Sequence, residues 1–214
     1  MMIMKTQTTR PQLVLDFDST LVRVESLDEL ARMVLANDDD GLVKTERIKT
    51  ITTAGMEGRI GFADSLTQRL ALFAPQRHQV QALVERLHEE VDESFWRKRD
   101  WLAERADDIW VVSGGFDDWI VPVVERLGLR GDHVLANGLI WDDDGVARSY
   151  DQTRHLAQDG GKVAAVRSLV LKGRVVMVGD GITDYEERRA GVADLFVAYV
   201  AHADRPSVRA VAIR

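Results

Sequence analysis

Leu13-Val-Leu-Asp-Phe-Asp-Ser-Thr-Leu-Val22 (LVLDFDSTLV) opens with an unbroken apolar run and then sets two carboxylates, Asp16 and Asp18, two residues apart. An apolar run without alternation suits a strand buried on both faces, as in a parallel sheet. Read as a strand, the run spans Leu13–Phe17. Three more runs of this kind follow, at Ile109–Val112, Arg174–Val178 and Leu195–Val200. Between the second and third, Trp119, Ile120, Val123, Val124 and Leu127 fall at helical spacing and close on Gly128. Val163, Val166, Leu169 and Val170 repeat the pattern just before the third run. Strands alternating with helices predict an α/β core with a parallel sheet.

The stretch from about Val24 to Phe95 breaks that rhythm. It has almost no strand signal. Leu27, Leu30, Ala31 and Val34, and later Val80, Leu83, Val84, Leu87 and Val91, lie at helical spacing. This predicts a small helical cap over residues 23–95, inserted after the first strand, with residues 1–22 and 96–214 forming the core. An insert at the carboxyl end of a strand stands where α/β sheets bind ligands, so it is placed to act as a lid. Asn37–Gly41 and Asp142–Gly145 are acidic clusters ending in glycine; neither has the spacing of a calcium loop, and both read as turns.

Composition narrows the function. The 214 residues carry a net charge of −7, with no dense basic block, which argues against nucleic acid or an anionic membrane as a partner. There is no cysteine, so disulfides, thiolate zinc sites and cysteine nucleophiles are excluded. No apolar stretch approaches a membrane span, and MMIMKTQTTRPQ lacks a secretion signal. It reads as a short disordered lead-in, and the chain as cytoplasmic. The five histidines show no metal-ligand spacing, and the five tryptophans read as packing residues. No motif assigns an oligomeric state.

Four motifs carry chemistry. In an extended strand end, Asp16 and Asp18 project to the same side, where two carboxylates call for a proton or a cation between them. Ser113, Gly114 and Gly115 follow the second strand, where a hydroxyl and bare backbone N–H groups can hold phosphate oxygens. Lys162 opens the helix near Val163, against the helix dipole. Asp180 ends the third strand between Gly179 and Gly181, and Asp184 follows four residues later. Each alone also reads as something ordinary: an acidic turn, a Ser N-cap, a solvated lysine, a glycine-rich turn. A parallel sheet brings all four to one rim. Carboxylates, a lysine, a serine and free N–H groups on one rim suit phosphoryl transfer, and oxygen ligands suit Mg²⁺.

In this order the motifs resemble those of the haloacid dehalogenase superfamily, and DFDST, SGGF, the lone Lys and GDGxTD resemble its phosphoserine phosphatases in particular. The resemblance covers about Leu13 to Arg209. It implies a Rossmann-like core with a helical cap, Asp16 as nucleophile and Asp18 as general acid and base. It implies Mg²⁺ held by the Asp16 side chain, the Asp18 carbonyl and Asp180, phosphate held by Ser113 and Lys162, and Asp184 in support. ESLDEL from Glu25 and MEGRIGFADSLTQR from Met56 resemble the family's cap stretches. They imply Glu25 against the substrate amino group, Arg69 against its carboxylate, and Met56 and Phe62 as pocket walls. Gly114, Gly115, Thr183 and Arg205 join the implied substrate contacts. The stretch ANGLIWDDDGVARSYDQTRHLAQDGGK resembles the hairpin and Lys-bearing segment of the animal and plant type. EVDESFWRK replaces the family's usual Thr-Pro-Gly turn, and Val200-Ala201 its glycine pair.

The expected activity is therefore hydrolysis of a small phosphate monoester, L-phosphoserine first, through an aspartyl phosphate. The alternatives are another phosphorylated metabolite, transfer to an alcohol rather than water, a phospho-accepting signalling domain, and a binding module without turnover.

Overall fold

A computed structural model describes residues 10–212. Residues 1–9, most of the expected lead-in, lie outside the described residues, and Gln12 already belongs to a strand. In chain order the elements are β1 (Gln12–Leu15), α1 (Ser26–Val34), α2 (Gly41–Met56), α3 (Phe62–Leu70), α4 (Arg77–Glu90), α5 (Glu93–Arg97), α6 (Arg99–Glu104), β2 (Ile109–Phe116), α7 (Asp117–Arg126), β3 (Val134–Asn137), β4 (Leu139–Trp141), β5 (Ala147–Tyr150), α8 (Gly161–Ser168), β6 (Val175–Gly179), α9 (Ile182–Arg189), β7 (Leu195–Ala198) and α10 (Pro206–Ala212).

Five strands form one parallel sheet in the order β3-β2-β1-β6-β7, and β4 and β5 pair as a separate antiparallel hairpin. This is the Rossmann-like α/β fold expected from the apolar runs. Leu15 pairs with Val111 on one side and Val178 on the other. Asp16 and Asp180 leave the sheet just past this level, while β2 runs on through Ser113–Gly115 to Phe116 beside them.

The pleat divides the apolar residues between two faces. Val14 and Val112 pack with Met177, Phe196, Ala165 and Val208 on one side. Leu15 and Val111 pack on the other with Trp119, Ile120 and Val124 of α7. That second cluster continues without a break into Leu30, Ile48, Leu66 and Leu83 of the inserted helices. Each such side chain, fully buried, stabilises the fold by about 1.5–3 kcal/mol.

Three details differ from the sequence reading. The sheet gains β3, whose apolar run of three residues, Val134–Ala136, is ended by Asn137 and Gly138 before it registers as a strand. The helix expected through Val170 stops at Ser168; Val170 has φ of 49° and is exposed. The strand expected to stop at Val112 continues to Phe116, with its pairing to β3 irregular beyond Val112. Both acidic glycine-ended clusters are turns, one leading into α2 and one joining β4 to β5. No helix among the described residues is long and apolar enough to cross a membrane.

Candidate active site

Asp16 follows directly on β1, and its backbone N–H still donates to Val178 O (2.9 Å), so its position is set by the sheet. Its Oδ1 accepts from the Phe17 N–H at 2.7 Å and lies 2.9 Å from Lys162 Nζ. Lys162, on the first turn of α8, reaches Asp184 Oδ1 at 2.5 Å with the same ammonium. Asp184 is fully buried, and its other oxygen accepts from the Gly181 N–H (2.8 Å), closing the turn between β6 and α9. Burial works against the charge of Lys162, but Asp16 and Asp184 more than offset it and hold the ammonium protonated, above its ordinary range. Burial, and after it the charges of Asp184 and Asp180, push Asp16 upward against the pull of Lys162.

Oxygens of Asp16, Asp180 and Asp184 lie within 4.8 Å of one another. Asp180 is also pushed upward, by burial first and then by Asp184. An all-oxygen set of three buried carboxylates suits a hard divalent cation. Asp18 is not in that set. The chain turns after β1, with Ser19 at φ of 53°, and the Asp18 carboxylate lines the same cavity as Asp16. Its two oxygens accept from Ser26 N–H (3.0 Å) and Ser26 Oγ (3.1 Å) at the head of α1. Ser26 Oγ in turn accepts from Trp119 Nε1 at 2.9 Å. Burial raises Asp18 to about 6, against the Ser26 bonds.

Ser113 is buried within β2, and its Oγ accepts from the Gly115 N–H (3.1 Å). The ring edge of Phe62 of α3 lies against Gly114: a Cβ there would stand 2.6 Å from the ring, so the close approach requires glycine. The inserted helices thus touch the catalytic edge of the sheet.

One cavity of about 250 Å³ gathers nearly all of these groups. Asp16, Asp18, Ser113, Gly114, Gly115, Lys162, Asp180 and Thr183 line its sheet side, and Glu25, Met56, Phe62 and Arg69 its helical side. Arg69 is buried, with Nη1 3.4 Å from Thr52 Oγ1 and 3.7 Å from Asp28 Oδ1. Glu25 accepts from Ser19 Oγ (2.8 Å), and burial followed by the nearby Asp18 charge raises it to about 8.

Arg205 takes a different position. It precedes α10 and lines a neighbouring cleft, where Nε and Nη2 donate to Asp180 Oδ2 (2.9 and 2.7 Å) and Nη2 stands 3.5 Å from Glu25. In this structure it acts as counter-ion to two acids of the site. Ser26, Trp119 and Glu187 are site-shaping residues that the motifs did not single out. Ser26 and Trp119 meet across 93 residues of sequence, and no local pattern marks that. Glu187, one turn after Asp184, is fully buried and is pushed up to about 9 by burial and by Asp184.

Residues 13–186 match the family of haloacid dehalogenase-like hydrolases. The chain belongs to this family. Among its hydrolase relatives, the human phosphoserine phosphatase is 31% identical over 197 residues, covering 91% of this chain and 83% of that protein. The chloroplastic phosphoserine phosphatase of Arabidopsis thaliana is 31% identical over 199 residues; the match spans 91% of this chain but 64% of the plant protein's length. A phosphoserine phosphohydrolase-like protein from Francisella tularensis superposes with a TM-score of 0.84 at 28% identity, over 94% of this chain and 93% of that one. The dehalogenase-like match contains all four motifs up to Asp184, and the structural likeness extends over the inserted helices as well.

Proposed function

We propose that this hydrolase is a phosphoserine phosphatase, with residues 23–95 as its specificity cap and 1–22 with 96–214 as its catalytic core. The observation that carries the reading is one cavity that sets the Asp16–Lys162 pair opposite an acid, Glu25, and a base, Arg69. A phosphorylated amino acid presents three charged groups, and the cavity offers a partner for each.

Phosphate oxygens are held by Lys162, Ser113, Thr183 and the N–H groups of Gly114 and Gly115. Arg69 takes the substrate carboxylate and Glu25 its amino group, with Met56 and Phe62 as walls. The Asp16 carboxylate attacks phosphorus in line; the Asp16–phosphorus bond forms as the bond to the serine oxygen breaks. Asp18 gives its proton to that leaving oxygen. It then takes a proton from water as the water attacks phosphorus, which releases phosphate and restores Asp16. Covalent catalysis of this kind splits one slow step into two. Asp16 and Asp180, with the Asp18 carbonyl and with Asp184 in support, would hold Mg²⁺, which supplies positive charge against the phosphate when bound. Asp18, raised to about 6, is suited to both halves of its task near neutral pH. Arg205 completes the substrate end of the site when it exchanges Glu25 for the substrate.

The test is phosphate release from L-phosphoserine, with and without Mg²⁺, against a panel of phosphorylated metabolites. L-Phosphoserine should give the highest kcat/KM. Asp16→Asn should lower kcat by on the order of 10⁴ or more, as loss of a nucleophile does. Arg69→Ala should lower kcat/KM for L-phosphoserine by about 10- to 200-fold, the worth of a hydrogen bond to a charged group, and leave a substrate lacking a carboxylate far less affected. A panel member that outruns L-phosphoserine, or an Asp16→Asn enzyme with full turnover, would overturn the proposal.

A further inference from the structure

α3 carries Phe62 and Arg69 and begins without a cap of its own. Its N-cap residue is Gly61, which has no side chain to offer the unpaired N–H groups of the first turn. The acceptor comes from elsewhere: Oδ1 of Asp159, 96 residues on, accepts from the Ala63 N–H at 3.1 Å. Ala63 is the second residue of the helix, and its N–H is the donor that a Ser or Asp at the N-cap would normally satisfy. Asp159 is an exposed residue of the loop before α8, three residues before Lys162, and both line the cavity.

We propose that Asp159 is a positioning residue that caps α3 across the cleft, tying the specificity helix to the phosphate-binding loop. Three observations support it. A carboxylate at a helix N-terminus is favoured by the helix dipole as well as by the hydrogen bond. Gly61 has ordinary backbone angles, φ −65° and ψ 155°, so nothing in its conformation calls for glycine. Yet a Cβ at Gly61 would stand 2.7 Å from Asp159 Oδ2, so the missing side chain is what admits the carboxylate. Phe62, beside the capped N–H, is the residue that lies against Gly114, so the cap and the closed pocket wall share one turn of helix. When Asp159 lets go, a smaller fraction of molecules holds α3 in place, and apparent affinity falls by that fraction.

Hydrogen exchange of the α3 amides and steady-state kinetics with L-phosphoserine, on the full chain, test this in Asp159→Ala, Asp159→Asn, Gly61→Ala and the Asp159→Ala/Gly61→Ala double variant. Asp159→Ala should speed exchange in the first turn of α3 by about 2- to 30-fold, the range of a lost N-cap, and leave α7 unchanged. Asp159→Asn should restore most of the protection, because Asn caps as well as Asp. Gly61→Ala should mimic Asp159→Ala, and the double variant should be no worse than either. KM should rise, by no more than the exchange factor, with the loss in KM rather than kcat. The kinetic arm rests on the phosphatase reading above; the exchange arm does not, so failure of the substrate assignment leaves the latch decided by exchange alone. Unchanged α3 exchange in Asp159→Ala overturns the proposal. So do additive effects in the double variant, or a loss confined to kcat.

Discussion

Glu187 is the buried acid that the site does least to satisfy. It sits on α9 behind Asp184, and neither of its carboxyl oxygens finds a hydrogen-bond partner among the described residues. The other buried acids are held: Asp16 by Phe17 and Lys162, Asp184 by Lys162 and Gly181, Asp180 by Arg205. A buried polar group left unpaired costs about 1–3 kcal/mol. Methionine has a similar length, favours helix and brings no polar atom. Glu187→Met should therefore raise stability by ~1–3 kcal/mol, read as a higher urea midpoint with unchanged slope. A lower midpoint would show that the carboxyl is paired in solution and that its burial is compensated. The residue is a Glu three positions after a motif Asp, and nothing in the sequence separates it from the exposed Arg188 and Arg189 beside it.

At the scale of elements, α4 and α7 meet through His88. The guanidinium of Arg126 donates to His88 Nδ1 at 2.7 Å, and a guanidinium only donates, so Nδ1 must accept and the ring is neutral. Its Nε2–H then points to Pro122 O at 3.4 Å. Burial, aided by Arg126 and opposed by Glu85 3.8 Å away, lowers the His88 pKa below its ordinary value. The folded protein thus binds fewer protons at this ring than the unfolded chain does, and stability falls as pH drops through about 6.5, the ordinary histidine value. Between pH 7 and pH 5 the wild type should lose more stability than His88→Gln, measured by urea unfolding at each pH. Equal losses would sink the idea. The helices themselves were legible, because Val80, Leu83, Val84 and Leu87, and Trp119, Ile120, Val123 and Val124, keep helical spacing and are buried as that spacing implies. β1, β6 and β7 were legible as unbroken apolar runs. β3 was not, since its apolar run is only Val134–Ala136 and is cut off by Asn137 and Gly138. At the site, Asp16, Ser113, Lys162 and Asp180 were legible because each sits where an apolar run ends or a helix starts. Ser26, Trp119 and Asp159 were not, because their partners come from distant parts of the chain and local sequence carries no trace of such a meeting.

At the scale of the molecule, the question is whether the helical insert stands as a unit of its own. The packing says that it does not. Leu83 of α4 is fully buried in the same apolar cluster as Leu15 and Val111 of the sheet and Trp119 of α7. The hairpin adds further ties, with Ala147 N–H donating to Pro75 O (2.9 Å) and the Arg77 guanidinium over the Trp141 ring at 4.5 Å. All five tryptophans lie between residues 96 and 141, so their fluorescence reports chiefly on the core. Far-UV ellipticity also counts α1 to α4 of the insert. An independent insert would give two transitions, and a shared cluster should give one. Leu83→Ala, a cavity deep in the insert, should cost about 2–5 kcal/mol. Because the cluster is continuous, that loss should lower the urea midpoint of fluorescence and ellipticity together. The latch at Asp159 is compatible with this, since it loosens one turn of α3 while α1 and α4 stay packed on the sheet. If Leu83→Ala moved the ellipticity midpoint and left fluorescence where it was, the insert would be a separate folding unit, and α3 would owe its position to Asp159 and the hairpin rather than to the core.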